Sequence, residues 1–165
     1  MNGPASPAGD AANHAEISRL VTTFFAGFTT GPDVAARLDA LREAFLPQAV
    51  IVRTCGLEPA VYDIDGFLAP RKALLTGGSL QQFREWEVSG RTQLFGDIAQ
   101  RFSSYAKAGV QDGRPFSARG MKTLQFVRTP AGWRISAVAW DDERDGLVVP
   151  LDDPRILLRE GPAPQ

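Results

Sequence analysis

Six side chains in the second half of this chain are of types that bind or transform small molecules: Trp86, Tyr105, Arg119, Lys122, Trp140 and Asp141. Asp141 follows Trp140 at the end of an apolar stretch. Burial beside an indole would raise a carboxyl group toward the range of a general base. Tyr105 would then serve as the hydroxyl donor that stabilises a developing enolate. Arg119 offers paired donors for a carboxylate, and Trp86 or Trp140 a flat wall for an apolar ring. Lys122 stands in an otherwise apolar register of Phe116, Ala118, Gly120, Leu124 and Phe126. It either reaches into a cavity or marks a bulge that breaks the alternation. The structural alternatives are plain as well. Asp141-Asp142-Glu143 reads as a solvated strand exit, and Arg119, Arg101, Glu85 and Glu87 as cross-strand ion pairs on an exposed or dimer-forming face.

Other chemistries lack their residues. The single histidine, His14, lies at the start of the first helix, ahead of the expected core, where it reads as solvent-exposed. The single cysteine, Cys55, excludes an intramolecular disulfide and reads as a structural thiol at the end of an apolar run. The three consecutive carboxylates at 141–143 alternate in direction along a strand and form no metal-ligand spacing. Gly77-Gly78-Ser79 lacks the spacing of a phosphate loop, and neither a dinucleotide fingerprint nor a serine elbow is present. No motif calls for a cofactor.

The elements that must position these groups are legible from periodicity and punctuation. Ile17, Leu20, Val21, Phe24, Phe25 and Phe28 form one broad helical stripe, with Asn13 and Glu16 as a capping box. After Thr30-Gly31-Pro32-Asp33, a second helix carries Val34, Leu38, Leu41 and Phe45 on one face, and Pro47 ends it. Ala49 to Cys55 is predicted as a buried strand and Val61-Tyr62 as a brief one. A third helix, capped by Asp65, should run to about residue 75, with Pro70 interrupting or restarting it and Gly77-Gly78 closing it. Four strands follow, cut by Gly96-Asp97, by the turn around Asp112-Gly113 and by Thr129-Pro130-Ala131-Gly132. In the first, Trp86, Val88, Gly90, Thr92 and Leu94 share one side; Glu85, Glu87, Ser89, Arg91 and Gln93 share the wet one. The predicted class is α+β, three N-terminal helices packed on a strongly curved, mainly antiparallel sheet.

At 165 residues the chain suits one domain with a substantial core. Residues 1–12 read as a disordered tail, 13–146 as the domain and 147–165 as an extension in which Leu147-Val148-Val149 and Ile156-Leu157-Leu158 could dock. Eighteen basic against 19 acidic residues carry no footprint of nucleic-acid binding. No apolar run approaches the roughly 20 residues of a membrane span. The first residues resemble no secretory signal, so a soluble cytoplasmic protein is expected.

Three local phrases resemble the nuclear transport factor 2-like superfamily, in its SnoaL-like and ketosteroid isomerase-like branch. They are Arg84-Glu85-Trp86-Glu87-Val88, Arg91-Thr92-Gln93-Leu94-Phe95-Gly96-Asp97-Ile98-Ala99 and Gly132-Trp133-Arg134-Ile135-Ser136. The resemblance spans about Ala15 to Glu143, with the same element order. It implies a cone-shaped fold around a deep pocket and frequent homodimerisation through the sheet. Family catalysis uses a pocket Asp or His base with Tyr or Asp donors, and no position here matches that base. Fold alone does not supply function. Three readings stand: a small-molecule-binding protein taking an apolar or aromatic ligand, neutral or anionic; an isomerase, cyclase or dehydratase using a pocket carboxylate; and a homodimeric association module.

Overall fold

The computed structural model describes residues 7–150. The segment Ile156-Leu157-Leu158, the start of the expected tail and most of the expected extension lie outside the described residues. The order is α1 (Pro7–Ala26), α2 (Val34–Ala44), β1 (Phe45–Arg53), β2 (Ala60–Tyr62), α3 (Ile64–Thr76), β3 (Leu80–Phe95), β4 (Ile98–Gln111), β5 (Arg114–Thr129) and β6 (Gly132–Asp142). The six strands form one mixed sheet in the order β2-β1-β6-β5-β4-β3, parallel only between β1 and β6. The three helices cover one face.

The expected cone with a strongly curved sheet is not what the chain forms. The sheet is open, and its edges β2 and β3 do not meet. Closing a sheet requires both edges to pair in a staggered register. Here β2 is three residues long, and the first part of β3's outer edge, at Phe83 and Glu85, is already occupied. The loop between α1 and α2 takes its hydrogen bonds: Thr30 N–H donates to Phe83 O at 3.0 Å, Glu85 N–H donates to Phe28 O at 3.1 Å, and Phe83 N–H donates to Thr30 Oγ1 at 2.9 Å. Shifts in register bend strands locally without joining the edges.

The stripe on α1 behaves as its spacing predicts: Ile17, Val21, Phe24, Phe25 and Phe28 are all buried. The helix nevertheless begins at Pro7, upstream of the expected capping box. Asn13 and Glu16 have a different task. Trp133 is fully buried, with its indole N–H donating to Asn13 Oδ1 at 3.2 Å and its backbone N–H donating to Glu16 Oε1 at 3.0 Å. Phe45 opens β1 rather than closing α2, and Pro47 falls where the β1–β6 register shifts, a position that needs no ladder donor. The cap of α3 is Asp63, which accepts from Gly66 N–H at 2.7 Å; Asp65 instead pairs with Arg42 at 2.7 Å. The helix continues through Pro70.

Glu16→Ala would leave the buried Trp133 amide without its acceptor, a loss of about 1–3 kcal/mol. Urea denaturation should show that drop, with a smaller loss in Glu16→Gln, which keeps an acceptor oxygen; an unchanged midpoint in Glu16→Ala would mean that α1 is held by its apolar stripe alone.

Candidate functional site

β5 keeps an unbroken register with β4 through Lys122, so no bulge removes this lysine from the apolar side. Its side chain enters the core beneath α1, and the residue is 4% exposed. The ammonium lies 2.6 Å from Glu85 Oε1 of β3 and 3.9 Å above the Tyr105 ring of the intervening β4. Phe24 and Phe25 approach from α1, and Trp140 from β6. Burial pulls the Lys122 pKa below the ordinary lysine value, and the Glu85 carboxylate opposes that fall.

A second polar group adjoins the first. Tyr105 is buried and donates its hydroxyl hydrogen to Asp142 Oδ1, while Lys107 Nζ lies 2.9 Å from Asp142 Oδ2. Burial and the hydrogen bond to Asp142 both push the Tyr105 pKa far up, so the phenol stays protonated. Burial alone would raise Asp142, but the bonds from Tyr105 and Lys107 outweigh it and hold the carboxyl below its usual range. Gly120 makes this possible, because a Cβ there would lie 2.6 Å from the Tyr105 Cζ. Cys55 is half-buried nearby; burial, then the charge of Asp142, raises its thiol pKa, which disfavours the thiolate.

Of these groups Glu85, Lys107, Lys122 and Trp140 line a half-open pocket of about 350 Å³ between α3 and the sheet, and Tyr105 and Asp142 stand behind them. Its apolar lining includes Phe67, Leu74, Phe83, Phe116 and Trp140; its charged lining is Arg71, Glu85, Lys107 and Lys122. Phe83 and Phe116 stack at 6.1 Å. Arg71 lies over the Phe67 ring at 3.7 Å and donates to Phe67 O at 3.0 Å. Burial lowers its pKa to about 10, so it remains a cation at neutral pH. A hollow of about 380 Å³ around Phe95, Ile98 and Val127 contains no titratable side chain. The described residues contain no cluster suited to a metal ion.

The six residues singled out in the sequence divide between the two faces of the sheet. Tyr105, Lys122 and Trp140 come together on the helix-covered face. Trp86 lies on the other face under the Arg84 guanidinium at 4.5 Å, level with Ala106 of β4 and Arg119 of β5. Arg119 pairs there with Glu143 at 3.3 Å, and Asp141 pairs with Arg144. Sequence reasoning missed Glu85, Arg71, Lys107 and Asp142. The register shift between Glu87 and Ser89 exchanges the sides of β3, putting Glu85 and Glu87 inward and Trp86 outward. Gly90 was the available signal: the Arg101 side chain, paired with Glu87 at 2.6 Å, crosses the space where its Cβ would be.

Similar solved structures share this architecture. A nuclear transport factor 2-like superfamily protein from Salmonella enterica is 13% identical with a TM-score of 0.67, over 82% of this chain and 94% of its own. An NTF2-like protein with a cystatin-like fold from Novosphingobium aromaticivorans is 20% identical with a TM-score of 0.64, over 87% and 94%. A hexachlorocyclohexane dehydrochlorinase from Novosphingobium barchaimii is 14% identical with a TM-score of 0.67, over 84% and 92%. The fold is therefore nuclear transport factor 2-like. Neither a protein-family model nor a curated protein sequence matches the chain.

Because its folded pKa is depressed, Asp142 stabilises the fold above the unfolded carboxyl pKa, and that contribution disappears as pH falls through the folded value. The melting-temperature gap between the native protein and Asp142→Asn should thus narrow below about pH 4. A gap of constant size from neutral pH to pH ~3 would contradict the assignment.

Proposed function

We propose that this protein binds a small apolar or aromatic molecule in the pocket between α3 and the sheet. The observation that carries the reading is the pocket itself: aromatic side chains from α3, β3, β5 and β6 meet there around buried, fixed charges. Such a lining, apolar with a few placed polar groups, is what small-molecule sites share. The dehydrochlorinase shows that a protein of this shape acts on a small molecule, although the low identity carries the fold alone.

The polar geometry favours binding over proton transfer. Tyr105 has one hydroxyl hydrogen, and Asp142 takes it. Asp142 is a weakened base, since its pKa is lowered. Asp141 is ion-paired with Arg144. Lys122 is neutralised by Glu85 and serves best as a fixed charge beside the ligand.

A neutral aromatic probe such as 2-naphthol, titrated by calorimetry, should bind saturably with one site per chain. Leu74→Trp, which fills the pocket wall, should weaken it about tenfold, whereas Phe102→Ser on the other face should not. Weakening by Phe102→Ser alone would move the ligand to the other face, and no saturation would end the reading.

A second copy of the chain is the partner we assign to that other face. Phe102 is 52% exposed and Val148 66%, and they share a trough with Met121 and Ala139. Exposed apolar side chains gathered in this way favour association. Sedimentation velocity should give twice the 17.9 kDa chain mass, and Phe102→Arg should return the single-chain value. A native protein that sediments as one chain at every concentration would reject the dimer.

A further inference from the structure

We propose that the ligand of this pocket carries a carboxylate, and that Arg71, supported by Arg53, is the group that receives it. This rests on the reading of the pocket as a ligand site. Four cations collect on the helix-covered side around Trp140: Arg53, Arg71, Lys107 and Lys122. Two are answered, Lys122 by Glu85 at 2.6 Å and Lys107 by Asp142 at 2.9 Å. Neither arginine has a carboxylate within 4.0 Å among the described residues.

The two guanidinium groups are also prepared differently from surface arginines. Arg71 is held among three rings, 3.7 Å from the Phe67 centroid, 5.4 Å from Trp140 and 5.9 Å from Tyr62. Its Nη1 reaches back one helical turn to Phe67 O, which fixes the plane of the fork. The remaining N–H groups of that fork make no hydrogen bond to the described residues, so two parallel donors are left to meet a planar carboxylate. Arg53 lies alongside Trp140 in the β1–β6 register, and its Nε is buried without a hydrogen-bond partner. A ligand oxygen reaching this donor would satisfy it; Arg37 Nε, away from the pocket, and Glu85 Oε1, within it and ion-paired with Lys122, are the other buried side-chain atoms without a hydrogen-bond partner among the described residues. Burial is the main cause of the lowered Arg71 pKa; Tyr62 and Glu85 oppose it, and the like charge of Arg53 adds a smaller push in the same direction as burial. An anion between them relieves both the mutual repulsion and the unmade hydrogen bonds. The aromatic part of the same ligand would rest against Trp140 and the stacked Phe83 and Phe116.

The test uses two probes of one shape, 2-naphthoate and 2-naphthamide, titrated by calorimetry into the native protein and into Arg71→Met, Arg71→Lys and Arg53→Met, each checked for folding by its thermal melt. The native protein should prefer the acid by about tenfold or more. Arg71→Met should reduce the acid-to-amide ratio to about one, and Arg71→Lys, which keeps charge without the fork, should lie between. Arg53→Met should lower the ratio by about threefold. Equal binding of acid and amide to the native protein would overturn the carboxylate assignment while the pocket stands. A preference that survives in Arg71→Met would remove Arg71 from the role. Failure of both probes to bind would overturn the pocket reading and this inference with it.

Discussion

The Lys122 ammonium has almost no access to water, and the surrounding structure is organised by the need to neutralise it. A buried, unpaired charge destabilises a fold by several kcal/mol, so its partner has to be delivered at a fixed place. That partner, Glu85, comes from β3, while the lysine comes from β5 and the ring between them from β4. Three strands are thereby held in one register. A one-residue slip of any of them would turn a charge to the wrong face. The shift after Glu87 lets β3 present Glu85 inward and still run its remaining residues along β4. Phe24 and Phe25 of α1 close the charge from above, which ties the helical layer to the same point.

What could be read from the sequence was the part governed by period. The stripe on α1, the face of α2 at Val34, Leu38 and Leu41, and the hairpins at Gly96-Asp97 and Gly132 all follow from local rules, and all are present. The shape of the sheet did not follow, because it depends on contacts far apart in sequence. Thr30 meeting Phe83 occupies an edge that no local pattern reveals. The site was half legible for a related reason. Lys122 was conspicuous as a charge among apolar neighbours, but alternation alone left open which face Tyr105 and Trp140 would take, and the pairing of Tyr105 with Arg119 on one face does not occur. Glu85 was hidden by one extra residue in β3, which reverses the sides that simple alternation assigns. Arg71 was hidden by context: beside Pro70 on a short helix, nothing in its neighbours shows that Phe67 and Trp140 close around it.

The distribution of protons explains why such a polar interior suits recognition. Hydrogen bonds and ion pairs among Tyr105, Asp142, Lys107, Lys122 and Glu85 leave each group in the protonation state its partner requires. Taking the hydroxyl proton of Tyr105 would break its bond to Asp142, and taking one from Lys122 would leave the Glu85 carboxylate without its cation. A network of this sort holds side chains still, and stillness in a pocket wall reduces the ordering that a ligand must impose.

Gly120, packed against Tyr105 behind the pocket, gives the sheet side and the α3 side different capacities for change. The groups beneath the pocket are interlocked: no side chain fits at position 120 without displacing Tyr105, and displacing Tyr105 disturbs Asp142 and Lys122 together. Substitutions there succeed only in matched sets. The α3 side is built otherwise, since Leu74 is 45% exposed and Arg71 is held by rings rather than by ion pairs. Single exchanges on that helix reshape the opening while the sheet beneath stays intact. Divergence of ligand preference among descendants of this chain would therefore be recorded along α3, on an inherited and nearly invariant floor.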